Sequence, residues 1–284
     1  MSDNRPKFTL LLTALLLAAI TLYCAVDMPA ASLFSRPAQV EAADVASDAS
    51  ARFAPHTADQ LLADALRRVL SYSSIVTRVE YSTATPAATG AGYYLEKGAL
   101  LRRLELQLHG IEDSRLLQIS NGRILWTRCT TPRETTTNEA KTPTPLRSPQ
   151  MRLAELGLPG LLAQLQQDYD LTLVGGGKLG NEQVYVLKAI LKRETLKRLL
   201  PHSAAEIDSG AFSGWSELPP KMPRALLVAL GSDDAVPRRI QFHTIADGVE
   251  LLQWPKLEMS ETLTIDFRDV QLNQPIASST FTHS

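Results

Sequence analysis

The chain has 284 residues, 44% of them hydrophobic, enough to bury a sizeable core. With 29 Lys and Arg against 30 Asp and Glu the net charge is -1, which leaves no electrostatic footprint for nucleic acid. Two cysteines, Cys24 and Cys129, exclude a disulfide framework or a cysteine zinc site.

Arg5 and Lys7 precede Phe8–Val26, 19 residues without a charge. As a helix this run spans roughly 28 Å at about 1.5 Å per residue, near the ~30 Å of a bilayer core. Residues 1–29 are therefore expected to be an uncleaved membrane anchor, or a cleaved signal peptide with Ala30-Ala31-Ser32 as its cleavage site. Either way the basic flank stays in the cytoplasm and the remainder is exported to the periplasmic side of the inner membrane. Tyr23 before Cys24 does not suit lipid attachment. Residues 30–56, rich in Ala, Ser, Asp and Pro, read as a linker.

A folded domain is expected over residues 57–284. Thr57 and Gln60 form a capping-box pattern, and Leu61, Leu62, Ala65, Leu66, Val69 and Leu70 make one helical stripe. The period then changes from 3.6 to 2. Strands are expected at Ser74–Ser82, Tyr93–Glu96, Leu100–His109, Arg115–Ser120 and Arg123–Cys129, with turns at Lys97-Gly98 and Asn121-Gly122. Thr130–Pro149 reads as a polar loop. Met151–Gln167 is helical, broken into two short helices by Gly157, Pro159 and Gly160. Strands resume at Leu171–Val174 and Gln183–Leu191, with a short helix at Glu194–Leu200 and an irregular stretch over His202–Pro223. Strands at Ala225–Leu230, Arg238–His243, Val249–Trp254 and Leu263–Leu272 complete a second meander. Hairpin-length connections make the sheet antiparallel. The expected fold class is α+β, mainly antiparallel β: a half-open barrel, a curved sheet of about 9–11 strands wrapped around a few helices.

Familiar catalytic patterns fail on context. Gly175–Gly180 satisfies G-x-G-x-x-G, but a strand pattern follows where a dinucleotide site needs a helix, so it reads as a hairpin turn. Ser213 misses the nucleophile-elbow spacing by one position. The histidines, His56, His109, His202, His243 and His283, are isolated in sequence, and the acid pairs Glu112-Asp113 and Asp233-Asp234 occupy turns. No metal, cofactor or nucleophile is indicated, and the chain reads as a non-enzyme.

The order of these segments resembles the LolA/LolB-like lipoprotein carrier superfamily. The phrases that carry the resemblance are Ile119-Ser120-Asn121-Gly122-Arg123-Ile124-Leu125-Trp126 and Leu158-Pro159-Gly160-Leu161-Leu162, followed by the glycine turn and strand of Gly180–Leu187. Pro237-Arg238-Arg239-Ile240 and Asp269-Val270-Gln271-Leu272-Asn273, with the late Phe281, complete it. It covers Thr57 to the end of the chain. It implies a half-open antiparallel barrel whose apolar cavity holds the acyl chains of a lipoprotein; members also serve as sensor domains of envelope-stress regulators. This chain departs in its long apolar run and spacer, in Thr130–Pro149 and in His202–Pro223, and no arginine here is matched to a functional arginine of the carriers.

The resulting expectation is a binder of acyl chains or another apolar ligand. The apolar sides of the strands supply the candidate cavity residues Leu104, Leu106, Leu108, Leu117, Ile119, Leu263, Ile265 and Phe267. Plain core packing is the competing reading for each. The alternative role is an anchored envelope sensor or protein-interaction module with an envelope protein partner.

Overall fold

The computed structural model describes residues 57–84, 87–109, 114–141, 149–219, 222–251 and 259–282. All belong to the compact unit Glu41–Ser284. The expected anchor and linker lie outside the described residues, as do His56, Glu112-Asp113 and His283. No helix among the described residues is long and apolar enough to cross a membrane.

Helix α1 spans Ala58–Ser71 and begins as its sequence dictates. Thr57 Oγ1 accepts from Gln60 N–H at 3.2 Å, and Gln60 Oε1 accepts from Thr57 N–H at 2.9 Å. The two bonds satisfy orphan donors at the helix start. Leu61, Leu62, Ala65 and Val69 are buried along one stripe.

Among the described residues eleven strands form one antiparallel sheet. They are β1 Ser74–Ala84, β2 Ala87–Lys97, β3 Leu101–His109, β4 Ser114–Ser120, β5 Ile124–Thr130, β6 Thr135–Lys141, β7 Tyr169–Leu179, β8 Glu182–Leu191, β9 Ala225–Gly231, β10 Pro237–Ile245 and β11 Met259–Leu272. Their order is β6-β5-β4-β3-β2-β1-β11-β10-β9-β8-β7. The first and last strands thus meet in the middle, and β6 and β7 are edges that do not pair with each other, so the sheet stays open. At the β4–β5 turn Asn121 Oδ1 accepts from the N–H groups of Arg123 and Ile124, while Gly122 takes φ 83°. That pair of features fixes the register of the hairpin.

Helix α2, Pro149–Asp168, crosses the sheet face near β3, β4 and β7. Gly157 is not helical (φ 73°, ψ 177°), so the helix has two arms, as expected from its sequence. Pro159 sits at the start of the second arm, where its missing N–H has little cost.

Four expectations need correction. The loop Thr130–Pro149 contains β6, because its β-branched threonines pair readily with β5. The glycines 175–177 lie inside β7 rather than in a turn; a register shift at Leu173/Gly175 absorbs them, and the reversal falls at Gly180-Asn181. The short helix expected at Glu194–Leu200 is present as α3, Arg193–Leu199, but the stretch read as irregular, His202–Pro223, holds a further helix, α4, Ala204–Ser209. There Phe212 and Trp215 are fully buried with rings at 5.3 Å, and Arg224 binds the carbonyl oxygens of Trp215, Leu218 and Met222. Finally, residues 249–251 are not strand, and 252–254 lie outside the described residues.

Candidate functional site

Residues opposite each other in an antiparallel ladder share a face. In the β2–β3–β4 ladder Tyr94 faces Leu104, which faces Gln118, and Gly92 faces Leu106, which faces Leu116. Val79 opposes Phe267 and Tyr81 opposes Ile265, which opposes Ile240. These rows form the helix-facing side. Leu104, Leu106, Leu263, Ile265 and Phe267 are buried in one core with Leu62, Leu158 and Leu162 of the helices, and half-buried Leu108 packs against it.

Six of the eight predicted residues are therefore together, and two are not. Leu117 opposes Glu105 and Ile119 opposes Arg103, which places both on the outer face. There they line a shallow pocket with Trp126 and Arg128. The eight do not line one cavity, because the hairpin register sets Leu117 and Ile119 one residue out of phase with Leu116 and Gln118.

The cavities described on the helix-facing side are small. Beneath α1, a cavity of about 80 Å³ is lined by Leu61, Asp64, Arg68, Tyr185 and Leu230. Another of about 20 Å³ lies between Val69, Ile75, Glu96 and Pro159. The second has room for about one water, and neither approaches the roughly 300–1,000 Å³ of ligand pockets.

A polar cluster interrupts this apolar face at the helix kink. Glu96 and Arg102 oppose each other across the β2–β3 hairpin and are 3% and 6% exposed. Glu96 Oε2 accepts from Tyr94 Oη–H at 2.6 Å and from Leu158 N–H at 3.2 Å, while its Oε1 accepts from Arg102 Nε–H at 3.3 Å. Arg102 Nη1 donates to Glu155 O at 2.8 Å, and its Nη2 donates to Ala99 O. Gly157 packs so closely on Arg102 Nε and Glu96 Oε1 that a Cβ there would collide with both. Burial pushes the Glu96 carboxyl up; burial, and then the Glu96 charge, hold the Tyr94 phenol well above its usual range.

Nearby Gln118 is fully buried, its Nε2 donating to Thr127 Oγ1 at 3.3 Å. Its Oε1 has no hydrogen-bond partner. Glu155 is 3% exposed. None of these groups was singled out from the sequence. The available signal was parity: Arg102 shares its strand face with Leu104 and Leu106, and Glu96 shares one with Tyr94.

The other motifs remain scattered. Ser213 lies in an irregular stretch with its carbonyl accepting from Gly248 N–H. His202 pairs with Glu217 at the surface, and His243 is buried on the outer face, opposite Glu261. No group of three metal-ligating side chains occurs among the described residues.

The open antiparallel sheet over helices is the architecture that the sequence resemblance implied. No family model matches the sequence, and no curated protein matches it. Solved structures do. A LolA superfamily protein from Nitrosomonas europaea is similar over 81% of this chain and 99% of that one, at 13% identity and a TM-score of 0.35. The Pseudomonas aeruginosa MucA/MucB complex is similar over 80% of this chain but 61% of the matched one, at 13% identity and a TM-score of 0.40. Mycobacterium tuberculosis lipoprotein LppX is similar over 76% and 97%, at 10% identity and a TM-score of 0.38. Likeness at these values concerns architecture, and no function crosses with it.

Proposed function

We propose that residues 57–284 bind acyl chains or another apolar ligand in the cell envelope, without catalysis, on the sheet face beneath α2. The observation that carries this reading is the contrast between the sheet face and the attachment of its cover. Most of the face is aliphatic, supplied by Leu104, Leu106, Leu263, Ile265 and Phe267 with Leu108. The covering helix is interrupted at Gly157 and held there by directional polar bonds from Glu96 and Arg102. Breaking a few such bonds would free one arm and expose an apolar floor, where each buried methylene of a ligand contributes about 0.8 kcal/mol. Residues 1–29 serve as anchor or export signal in this reading, and 30–56 as spacer. A C-terminal alkaline phosphatase fusion should then be active.

The small size of the cavities described supports a second reading, in which this face is only a core and the domain is an envelope sensor or protein-interaction module. Native mass spectrometry of the full chain, released from nanodiscs, separates the two. A bound acyl lipid that survives release supports the carrier reading. Repeated release of bare protein that also fails to take up a fluorescent fatty alcohol rules it out in favour of the module.

A further inference from the structure

Gln118 sits in the middle of the helix-facing side, opposite Leu104 on one strand and Thr127 on the other. It is fully buried, and its Oε1 has no donor. Buried carbonyl oxygens nearly always have a partner, and a water that bridges such a site needs two to four polar neighbours. The face around it is made of Leu104, Leu106 and Leu116, with Thr127 opposite and Ser120 two residues along the strand as its polar neighbours.

Charges close by restrict what can supply the donor. All three nitrogens of Arg102 already donate, to Glu96, Glu155 O and Ala99 O, so the guanidinium is committed. Glu96 and Glu155 add two buried carboxyl groups at this end of the face. An anionic head would meet carboxylates and a guanidinium whose bonds it would have to break. An ammonium would leave its water for one carbonyl oxygen and buried carboxyl groups, of which Glu96 is already engaged through both oxygens. A hydroxyl or amide N–H is the donor with the lowest desolvation cost.

We propose that the apolar ligand is an amphiphile with an uncharged, hydrogen-bond-donating head, held by Gln118 Oε1. This rests on the apolar-ligand reading above and names the ligand class for the same face. The tail lies along Leu104, Leu106 and the β11 row, and the head lies at the kink of α2.

Three amphiphiles with equal chains of twelve carbons test it: monolauroyl glycerol, laurate and dodecylammonium. Each displaces a fluorescent fatty alcohol from the full chain in nanodiscs, with partition into empty nanodiscs subtracted. Monolauroyl glycerol should bind about tenfold tighter than either charged probe, as expected for one satisfied buried acceptor. Gln118→Leu should abolish that preference. The ranking on the wild type stands alone if the variant does not fold. Laurate or dodecylammonium binding as tightly as the glycerol ester overturns the proposal, as does a Gln118→Leu protein that keeps the preference. Uptake of none of the three, nor of the fluorescent alcohol, removes the apolar-ligand reading itself and this inference with it.

Discussion

Arg102 Nη1 donates to the carbonyl oxygen of Glu155 at 2.8 Å, so a side chain of β3 fixes the backbone of α2 just ahead of its kink at Gly157. The same guanidinium donates through Nε to Glu96, whose other oxygen accepts from Leu158 N–H beyond the kink. Two residues of one hairpin therefore grip both arms of the helix. The grip is polar in a setting that is otherwise aliphatic, where hydrogen bonds are strong and the loss of one partner is costly.

Removing Arg102 should expose that cost. Arg102→Met leaves Glu96 buried without its cation, a change that typically destabilises by about 3–5 kcal/mol. Arg102→Met with Glu96→Gln should recover part of the loss, because no uncompensated charge remains. Urea unfolding of the four proteins of this cycle measures the coupling. A cycle whose two single losses simply add would show that the pair does not act as a unit.

Gly157 depends on the same contact. Its φ of 73° disfavours any side chain, and a Cβ would collide with Arg102 Nε and Glu96 Oε1. Gly157→Ala should cost more than about 1 kcal/mol. In an Arg102→Met background the steric part should shrink, so the two changes should be less than additive. Equal costs in both backgrounds would assign the whole effect to backbone conformation.

The sequence foretold what local rules determine. The capping box at Thr57, the Asn121-Gly122 hairpin and the break at Gly157 are each set within a few residues, and each stands where it was expected. Strand β6 was missed because threonines in a polar run signal a loop as readily as an edge strand, and only pairing with β5 decides between them. Facing was harder than strand identity. Leu117 and Ile119 alternate as cleanly as Leu104 and Leu106, yet the phase between the two strands comes from the register of β3 with β4. The cluster at Glu96 and Arg102 was hidden for a related reason: its members come from β2, β3 and a helix about fifty residues later in the chain.

His243 gives the fold a defined acid sensitivity. It is 6% exposed on the outer face of β10, and neither ring nitrogen has a hydrogen-bond partner. Glu261, its neighbour across the ladder, is engaged by Gln241 Nε2 at 2.7 Å and Thr264 Oγ1 at 2.6 Å. Burial lowers the His243 pKa, Lys188 lowers it further, and Glu261 opposes both. The folded state thus favours the neutral ring. In the unfolded chain the ring takes its proton near pH ~6.5, so the contribution is full above that value and is lost as pH falls below it, until the depressed folded pKa is reached. Between pH 7 and 5 the wild type should lose more stability than His243→Leu, measured by denaturant midpoints at each pH. Parallel pH curves for the two proteins would contradict this assignment.

Leu106 and Leu117 provide the sharpest test of the two faces, since both are leucines of adjacent strands. Leu106 is 2% exposed and sits in the core beneath the helices. A carboxylate at that position would lie among aliphatic side chains with no donor, so Leu106→Glu should cost several kcal/mol or force protonation of the new acid. Leu117 is half-buried on the outer face, between Glu105 of β3 and Arg128 of β5. A carboxylate there meets solvent, one like charge and one opposite charge, and Leu117→Glu should change stability by less than about 1 kcal/mol. Thermal unfolding of the two variants distinguishes the faces directly. The Leu106→Glu midpoint should fall far below that of the wild type and recover partly as pH is lowered toward the new acid's pKa, whereas Leu117→Glu should stay near the wild-type value. If the two variants lost stability equally, both faces of this part of the sheet would be buried, and the assignment of Leu117 to an open outer face would fail.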